Sequence, residues 1–159
     1  MVITSAKYVF SLFQGTWLLK RTIVGHGVMK GKARFEKFGW NQPFTKKLLY
    51  REDGVFELND GNKLDTYKEY LYMLENEKLA VYFFENNKQD RLFHFLDFKH
   101  IDNDLLLATA IHHCSLDIYN VKYEILSRNK FQIVYKVNGP EKNYVSQTLL
   151  TRINKFSIS

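Results

Sequence analysis

The strongest constraint on the fold of this chain is the period of its apolar residues, which is close to two along most of its length. Between residues 15 and 153, short segments alternate apolar with polar side chains, and turn-forming residues separate them. Such alternation places successive side chains on opposite faces of a β-strand, whereas an amphipathic helix needs a period near 3.6. The pattern therefore predicts an all-β protein of about ten strands.

The predicted elements follow one another with short connections. A short helix is capped by Thr4 or Ser5 and ends near Phe13. Its apolar face would comprise Tyr8, Val9, Leu12 and Phe13. The predicted strands span residues 15–24, 28–38, 46–52, 55–58, 63–74, 79–84, 91–98, 105–114, 118–126, 131–137 and 144–153. We expect a tight turn at Asp53-Gly54, a bulge at Gly31 and a loop over residues 39–43.

The order of these strands predicts the architecture. A meander of short hairpins without a Greek-key crossover favours an antiparallel up-and-down β-barrel over a sandwich. We expect one domain over residues 1–159, a barrel of about eight to ten strands, and an N-terminal helix that closes one end. The interior of such a barrel either fills with side chains or holds one small ligand.

Composition narrows the classes of partner. The chain has 159 residues and a net charge of +6, but its basic residues are spread out, which makes nucleic-acid binding unlikely and a solvated basic surface the simpler interpretation. It contains one cysteine, Cys114, and no apolar run long enough for a membrane span. The N-terminus lacks the pattern of a signal peptide. We therefore expect a soluble, cytoplasmic protein without membrane contact, and the oligomeric state is open.

Two short motifs lie at opposite ends of the chain. Gly15-Thr16-Trp17 is on the first predicted strand and Arg152 is on the last. Together they resemble the calycin signature of lipocalins and fatty-acid-binding proteins. The resemblance implies a calycin-like barrel in which the indole of Trp17 packs beneath the guanidinium of Arg152. It also implies that Arg152 donates hydrogen bonds to carbonyls of the N-terminal helical segment at the closed end.

The chain as a whole resembles an uncharacterised domain-of-unknown-function family of bacteria and fungi. The matching pieces are Gly15-Thr16-Trp17, Leu49-Tyr50-Arg51-Glu52-Asp53-Gly54, Val81-Tyr82-Phe83, Phe93-His94, His112-His113-Cys114, Asp117-Ile118-Tyr119, Gly139-Pro140, Tyr144 and Thr151-Arg152. The resemblance implies no activity, because none is established for that family. Asn143 departs from the aspartate of the family pattern.

The densest polar cluster is His112-x-Cys114-x-x-Asp117-x-Tyr119. Residues two apart on a strand share a face, so a tight connection would bring these side chains together at the barrel rim. His112, Asp117 and Tyr119 are therefore candidate acid–base residues of a small isomerase, cyclase or hydrolase. Cys114 is a candidate nucleophile if a neighbouring histidine lowers its pKa. The alternative is structural, with Asp117 capping a turn and Cys114 packed as a small apolar residue.

A second group of residues is expected to line the lumen. The candidate ligand-binding residues are Arg51, Tyr70, Tyr72, Tyr82, His94, His112, Cys114, Tyr119 and Tyr144. Many tyrosines with a few charges suit a small-molecule ligand with an apolar body and one anionic group, which Arg51 would anchor. The alternative is a packed interior in which these groups satisfy one another. Binding of such a ligand is the predicted function, and the rim enzyme is the alternative.

Neither a metal nor another cofactor is expected. His94, His112, His113 and Cys114 offer donors of the kind that zinc accepts. However, His112 and His113 are adjacent on one strand and point to opposite faces, so they cannot both reach one ion without a kink in the strand.

Overall fold

The structure is a computed structural model that describes residues 4–39, 46–102 and 104–154. One helix, α1 (Ser5–Phe13), precedes eleven strands. The strands are β1 (Gly15–Ile23), β2 (Gly27–Lys37), β3 (Lys47–Leu58), β4 (Lys63–Glu75), β5 (Lys78–Glu85), β6 (Lys88–Leu96), β7 (Lys99–His100), β8 (Leu106–Cys114), β9 (Asp117–Ser127), β10 (Lys130–Asn138) and β11 (Asn143–Arg152). The all-β prediction is confirmed, and the predicted loop at residues 39–43 lies, apart from Gly39, outside the described residues.

The strands form one antiparallel sheet in the order β6-β5-β4-β3-β2-β1-β11-β10-β9-β8-β7. Every neighbour except the pair β1 and β11 is also a neighbour along the chain, as the up-and-down prediction requires. The sheet curls until β6 lies beside β8. The pairing of β1 with β11 joins the two ends of the meander, and the contact of β6 with β8 forms a seam on the opposite side.

The turn predicted at Asp53-Gly54 is wrong, because β3 is one continuous strand through both residues. Its registers with β2 and β4 are unbroken, and Gly54 pairs with Gly31. The bulge predicted at Gly31 is also absent from that register. A Cβ added to Gly31 would overlap the carbonyl oxygen of Asp53, so the two glycines allow a close approach of two backbones.

The helix α1 covers one end of the barrel interior. Thr4 is its N-cap, and the Thr4 side chain accepts a hydrogen bond from the backbone N–H of Lys7. The apolar face differs from the prediction at three positions, since Ala6 and Phe10 are buried and Tyr8 is 43% exposed. Phe13 stacks on Phe35 with ring centroids 4.8 Å apart. Large side chains therefore fill the half of the barrel beneath α1.

The predicted contact between Trp17 and Arg152 closes this end. The two residues are paired in register, and the guanidinium carbon of Arg152 lies 4.3 Å from the centroid of the Trp17 ring. Arg152 donates hydrogen bonds to the carbonyl oxygens of Gln14, at 2.9 Å, and of Leu12. The Trp17 indole N–H donates to the Phe13 carbonyl at 2.9 Å. These contacts tie the first strand, the last strand and the helix together, so this end is structural.

Across the described residues, no helix combines the length and apolar character that a membrane crossing requires.

Candidate ligand-binding site

A cavity of about 280 Å³ lies in the half of the barrel away from α1, beside the hairpin turns at residues 24–26, 59–62 and 139–142. It is lined by Arg21, Ile23, Met29, Tyr50, Glu52, Phe56, Thr66, Lys68, Tyr70, Tyr72, Phe93, Tyr119, Tyr123, Ile133, Tyr135, Tyr144, Ser146 and Thr148. Period-two alternation places these residues inside, because alternate positions of each strand share the inner face. The interior is thus packed at one end and open at the other.

Tyrosines dominate the lining. Among the described residues, seven contribute to it: Tyr50, Tyr70, Tyr72, Tyr119, Tyr123, Tyr135 and Tyr144. The hydroxyls of Tyr72 and Tyr123 are 2.7 Å apart, and Tyr123 is also hydrogen-bonded to Tyr135. Burial raises the pKa of Tyr72, Tyr123 and Tyr135 well above the usual value. The cavity therefore presents aromatic faces together with neutral phenol groups that both donate and accept hydrogen bonds.

A β-bulge in β6 brings a phenylalanine into the cavity wall. Val81 pairs with His94 and Tyr82 pairs with Leu92, so Phe93 is an extra residue in the strand. Phe93 lines the cavity, and its neighbour His94 is also buried. In an unbroken strand these two side chains would lie on opposite faces.

His94 extends the chain of tyrosine hydroxyls behind the cavity wall. Its Nε2 lies 3.0 Å from the hydroxyl of Tyr135. Burial, with a smaller effect of the charge of His112, lowers the pKa of His94 to about 3. The ring is therefore neutral at physiological pH. Within the described part of the chain, its Nδ1 is buried without a hydrogen-bond partner.

An ion pair crosses the polar side of the cavity. Arg21 donates to both carboxylate oxygens of Glu52, at 2.7 and 2.9 Å, and its Nε donates to Thr148 at 2.7 Å. Tyr50 donates a further hydrogen bond to Glu52. Burial by itself would raise the pKa of Glu52, but the hydrogen bonds and charge of Arg21 outweigh it, so the pKa is lowered. Glu52 is therefore ionised, and both of its carboxylate oxygens accept hydrogen bonds.

Lys68 is the third ionisable side chain at this position. It lies directly across from Glu52 in the register of β3 and β4. Among the described residues it forms no ion pair, because Arg21 and Tyr50 already occupy the Glu52 oxygens. The Lys68 side chain lines the cavity and also reaches solvent. Arg21 and Glu52 cancel, so the ammonium of Lys68 leaves the cavity with a net positive charge.

The predicted ligand-binding residues divide into two groups. Tyr70, Tyr72, Tyr119 and Tyr144 line the cavity. The remaining five, namely Arg51, Tyr82, His94, His112 and Cys114, are not part of its lining. His94 lies behind Tyr135, and Tyr82 donates to Glu75 on the outer face at 2.8 Å. Cys114 ends β8 at the hairpin, where it is partly buried.

The placement of Arg51 in the lumen is wrong. Its side chain lies on the outer face, where it donates to Asp53 at 2.8 and 2.9 Å and stacks over the ring of Tyr67. The inner cation is Arg21, two positions after Leu19 and four after Trp17 on the inner face of β1. Since adjacent strand residues point to opposite faces, Glu52 rather than Arg51 enters the lumen.

The three candidate acid–base residues do not contact one another as an acid–base group. His112 donates a hydrogen bond to the backbone of Phe93 across the seam, which joins β8 to β6. Asp117 is 3.7 Å from the Lys142 ammonium, which also lies 3.4 Å from the Tyr119 hydroxyl. The rings of His112 and Tyr119 have centroids 6.3 Å apart. His112 thus stabilises the seam, while Asp117 and Tyr119 belong to a cluster at the rim.

The residues missed from the sequence are the polar ones of the lumen, above all Arg21, Glu52 and Lys68. A signal for them was present, because Trp17 and Arg21 share one face of β1 and Tyr50 and Glu52 share one face of β3. The sequence prediction placed a turn at Asp53-Gly54, and it therefore did not connect the face of β3 that carries Tyr50 and Glu52 with the rest of the strand. In the described ranges, no three His, Cys, Asp or Glu side chains are grouped as metal ligands would be.

The comparisons with known proteins identify a family and a fold. A family model described as a family of unknown function (DUF6314) matches residues 13–152. Among proteins of curated function, none is significantly similar in sequence.

Several solved structures are similar to this chain. The S-type phycobiliprotein lyase CPES from Guillardia theta is 7% identical, with a TM-score of 0.58, over 96% of this chain and 94% of the lyase. A redesigned β-barrel, mFAP1, bound to DFHBI is 14% identical, with a TM-score of 0.42, over 90% of this chain and 97% of the design. A fluorescence-activating β-barrel designed de novo is 9% identical, with a TM-score of 0.44, over 96% of this chain and 100% of the design. At these identities the lyase shows a common fold.

Proposed function

The chain belongs to the DUF6314 family of unknown function, and we propose from its cavity that it binds a small, partly apolar, anionic molecule inside the barrel. The observation that carries the proposal is a tyrosine-lined cavity that contains Lys68, a cation without an ion-pair partner among the described residues. The closure of the other end by Trp17 and Arg152, which we interpret as calycin-like, leaves this cavity as the place for a ligand. A reducing compartment such as the cytoplasm suits the single Cys114.

The size of the cavity limits the ligand. An engineered cavity of about 150 Å³ binds benzene, so 280 Å³ has room for roughly a dozen non-hydrogen atoms. That size corresponds to one or two fused rings with a short polar substituent. The aromatic faces of Tyr70, Phe93 and Tyr119 would contact the rings, and offset or edge-on stacking would orient them.

Charge selects the polar substituent. Arg21 donates hydrogen bonds to Glu52 and Thr148, so most of its guanidinium N–H groups already have acceptors. The three donors of the Lys68 ammonium are free to meet a carboxylate or a similar anion. A neutral ligand of the same shape would gain the stacking but would leave this charge without a partner.

Calorimetric titration with 2-naphthoate and its neutral analogue 2-naphthamide tests the proposal. We expect saturable binding of 2-naphthoate that Lys68→Met weakens roughly tenfold or more, as loss of a charge-assisted hydrogen bond would do. Lys136→Met is the matched control, because Lys136 is exposed on the outer face of β10. Equal binding of the two compounds, or equal effects of the two substitutions, would count against the proposal.

A further inference from the structure

We propose that Lys68 is also a nucleophile, and that it forms a covalent imine with small aromatic aldehydes that enter the cavity. The proposal rests on the proposed function in one respect, since both place an aromatic ligand beside Lys68. It adds a chemical reaction and a second class of ligand, the aldehydes.

The strand register creates an unusual position for a lysine. Lys68 lies across from Glu52, which would ordinarily form a salt bridge with it. Arg21 approaches from β1 and occupies both oxygens of Glu52, and Tyr50 adds a third hydrogen bond. Lys68 is therefore kept beside an anion that is already neutralised, and its side chain lines the cavity and is exposed to solvent.

The surroundings make the Lys68 ammonium easier to deprotonate than that of an ordinary surface lysine. The side chain of Lys68 is partly exposed, but desolvation by the groups around it and the positive charge of Arg21 lower its pKa, and Glu52 opposes them less strongly. The titratable groups that share the cavity with it are Arg21 on β1, Tyr50 and Glu52 on β3, Tyr70 and Tyr72 on β4, Tyr119 and Tyr123 on β9, Tyr135 on β10 and Tyr144 on β11. A lysine that is partly desolvated beside another cation is an activated nucleophile.

The reaction needs no component beyond amine and aldehyde. The lone pair of the neutral Lys68 Nζ forms a bond to the carbonyl carbon, and the C=O π electrons move to oxygen, which takes a proton to give a carbinolamine. Loss of the hydroxyl with a proton then releases water and leaves a C=N bond. Protonation of the imine nitrogen restores the positive charge opposite Glu52. Aromatic walls hold the aldehyde ring close to the amine, which raises its effective concentration.

Reductive trapping with 2-naphthaldehyde and sodium cyanoborohydride tests the proposal on the full chain. The hydride reduces the imine to a stable secondary amine, and peptide mass spectrometry then gives the rate of modification of each lysine. We expect Lys68 to react roughly tenfold faster than exposed Lys136 at neutral pH, because more of its amine is neutral. We also expect the labelling of Lys68 to rise at lower pH than that of Lys136, and Lys68→Arg to remove the fast reaction while the circular dichroism spectrum is retained.

Competition with 2-naphthoate separates this proposal from the proposed function. Protection of Lys68, but not of Lys136, supports a common site for both ligands. If 2-naphthoate binds but Lys68 is modified no faster than Lys136, the nucleophile proposal is overturned and the binding function stands. If Lys68 reacts fast but 2-naphthoate neither binds nor protects it, the binding function fails and the reactive lysine stands.

Discussion

At the scale of single residues, Glu52 holds together the polar part of the lumen. It is 1% exposed and binds Arg21 through both oxygens. Glu52→Gln would leave the guanidinium of Arg21 buried without a counter-ion, and we expect a loss of about 3–5 kcal/mol in the free energy of unfolding. Asp53→Asn, on the outer face of the same strand, removes an exposed partner of Arg51 and should cost less than about 1 kcal/mol. Urea unfolding measures both, and equal losses would contradict the account.

His94 gives the protein a specific sensitivity to acid. Its pKa of about 3 in the folded state lies below the ordinary value of 6.5, so the unfolded chain takes up a proton that the folded chain refuses. Stability should therefore fall as pH decreases from 6.5 toward 3. Down to about pH 5 the loss comes from His94 together with His112, whose pKa burial also lowers, and Glu52 adds to the loss at lower pH. We expect His94→Phe to flatten this slope in urea unfolding, whereas exposed His113→Phe should not.

The residues of the site show the limit of sequence interpretation. Alternation correctly assigned Tyr70 and Tyr72 to one face of β4, but it did not show which face of β3 points into the lumen. A shift of one residue exchanges the two faces of a strand, and Arg51 was accordingly placed where Glu52 lies. The inner and outer faces become distinguishable only when a neighbouring strand with a known inner residue, such as Trp17, fixes the register.

At the scale of elements, the paired glycines Gly31 and Gly54 allow the backbones of β2 and β3 to approach closely. Gly31 faces Gly54, and an added Cβ on Gly31 would overlap the Asp53 carbonyl. We expect Gly31→Ala to lower the free energy of unfolding by about 1–3 kcal/mol through overpacking. The neighbouring substitution Lys32→Ala, at an exposed position, should stay within about 0.5 kcal/mol. A Gly31→Ala variant as stable as Lys32→Ala would show that the backbones need not approach so closely.

The elements themselves were largely predictable from sequence. Period-two alternation located ten of the strands, and turn-forming residues such as Asn59-Asp60-Gly61-Asn62 lie between them. The turn predicted at Asp53-Gly54 and the resulting division of β3 into two strands are errors with one cause. Asp53-Gly54 is a strong local turn signal, but the unbroken pairing of β3 with both neighbours overrides it. The bulge at Phe93 had no local signal, since it depends on how β5 and β6 pair.

At the scale of the whole molecule, the barrel has a structural end and an end that contains the proposed binding cavity. Arg152 serves the first, because it donates to the carbonyls of Leu12, Gln14 and Arg128. We expect Arg152→Met to lower the free energy of unfolding by about 1–3 kcal/mol while the affinity for 2-naphthoate is unchanged. Arg128→Met is the control, since its exposed side chain can be lost while its carbonyl is kept. Weakened binding in folded Arg152→Met would contradict this division.

The central claim is that the ligand enters the lumen, and heteronuclear NMR of isoleucine methyl groups tests it most directly. Ile23 and Ile133 line the cavity, whereas Ile111 and Ile118 are exposed on the outer face of β8 and β9. Titration with 2-naphthoate should shift the methyl signals of Ile23 and Ile133 strongly through the ring current of the bound naphthalene. The signals of Ile111 and Ile118 should stay in place. Shifts confined to Ile111 and Ile118, or no shifts at saturating 2-naphthoate, would contradict a binding site inside the barrel.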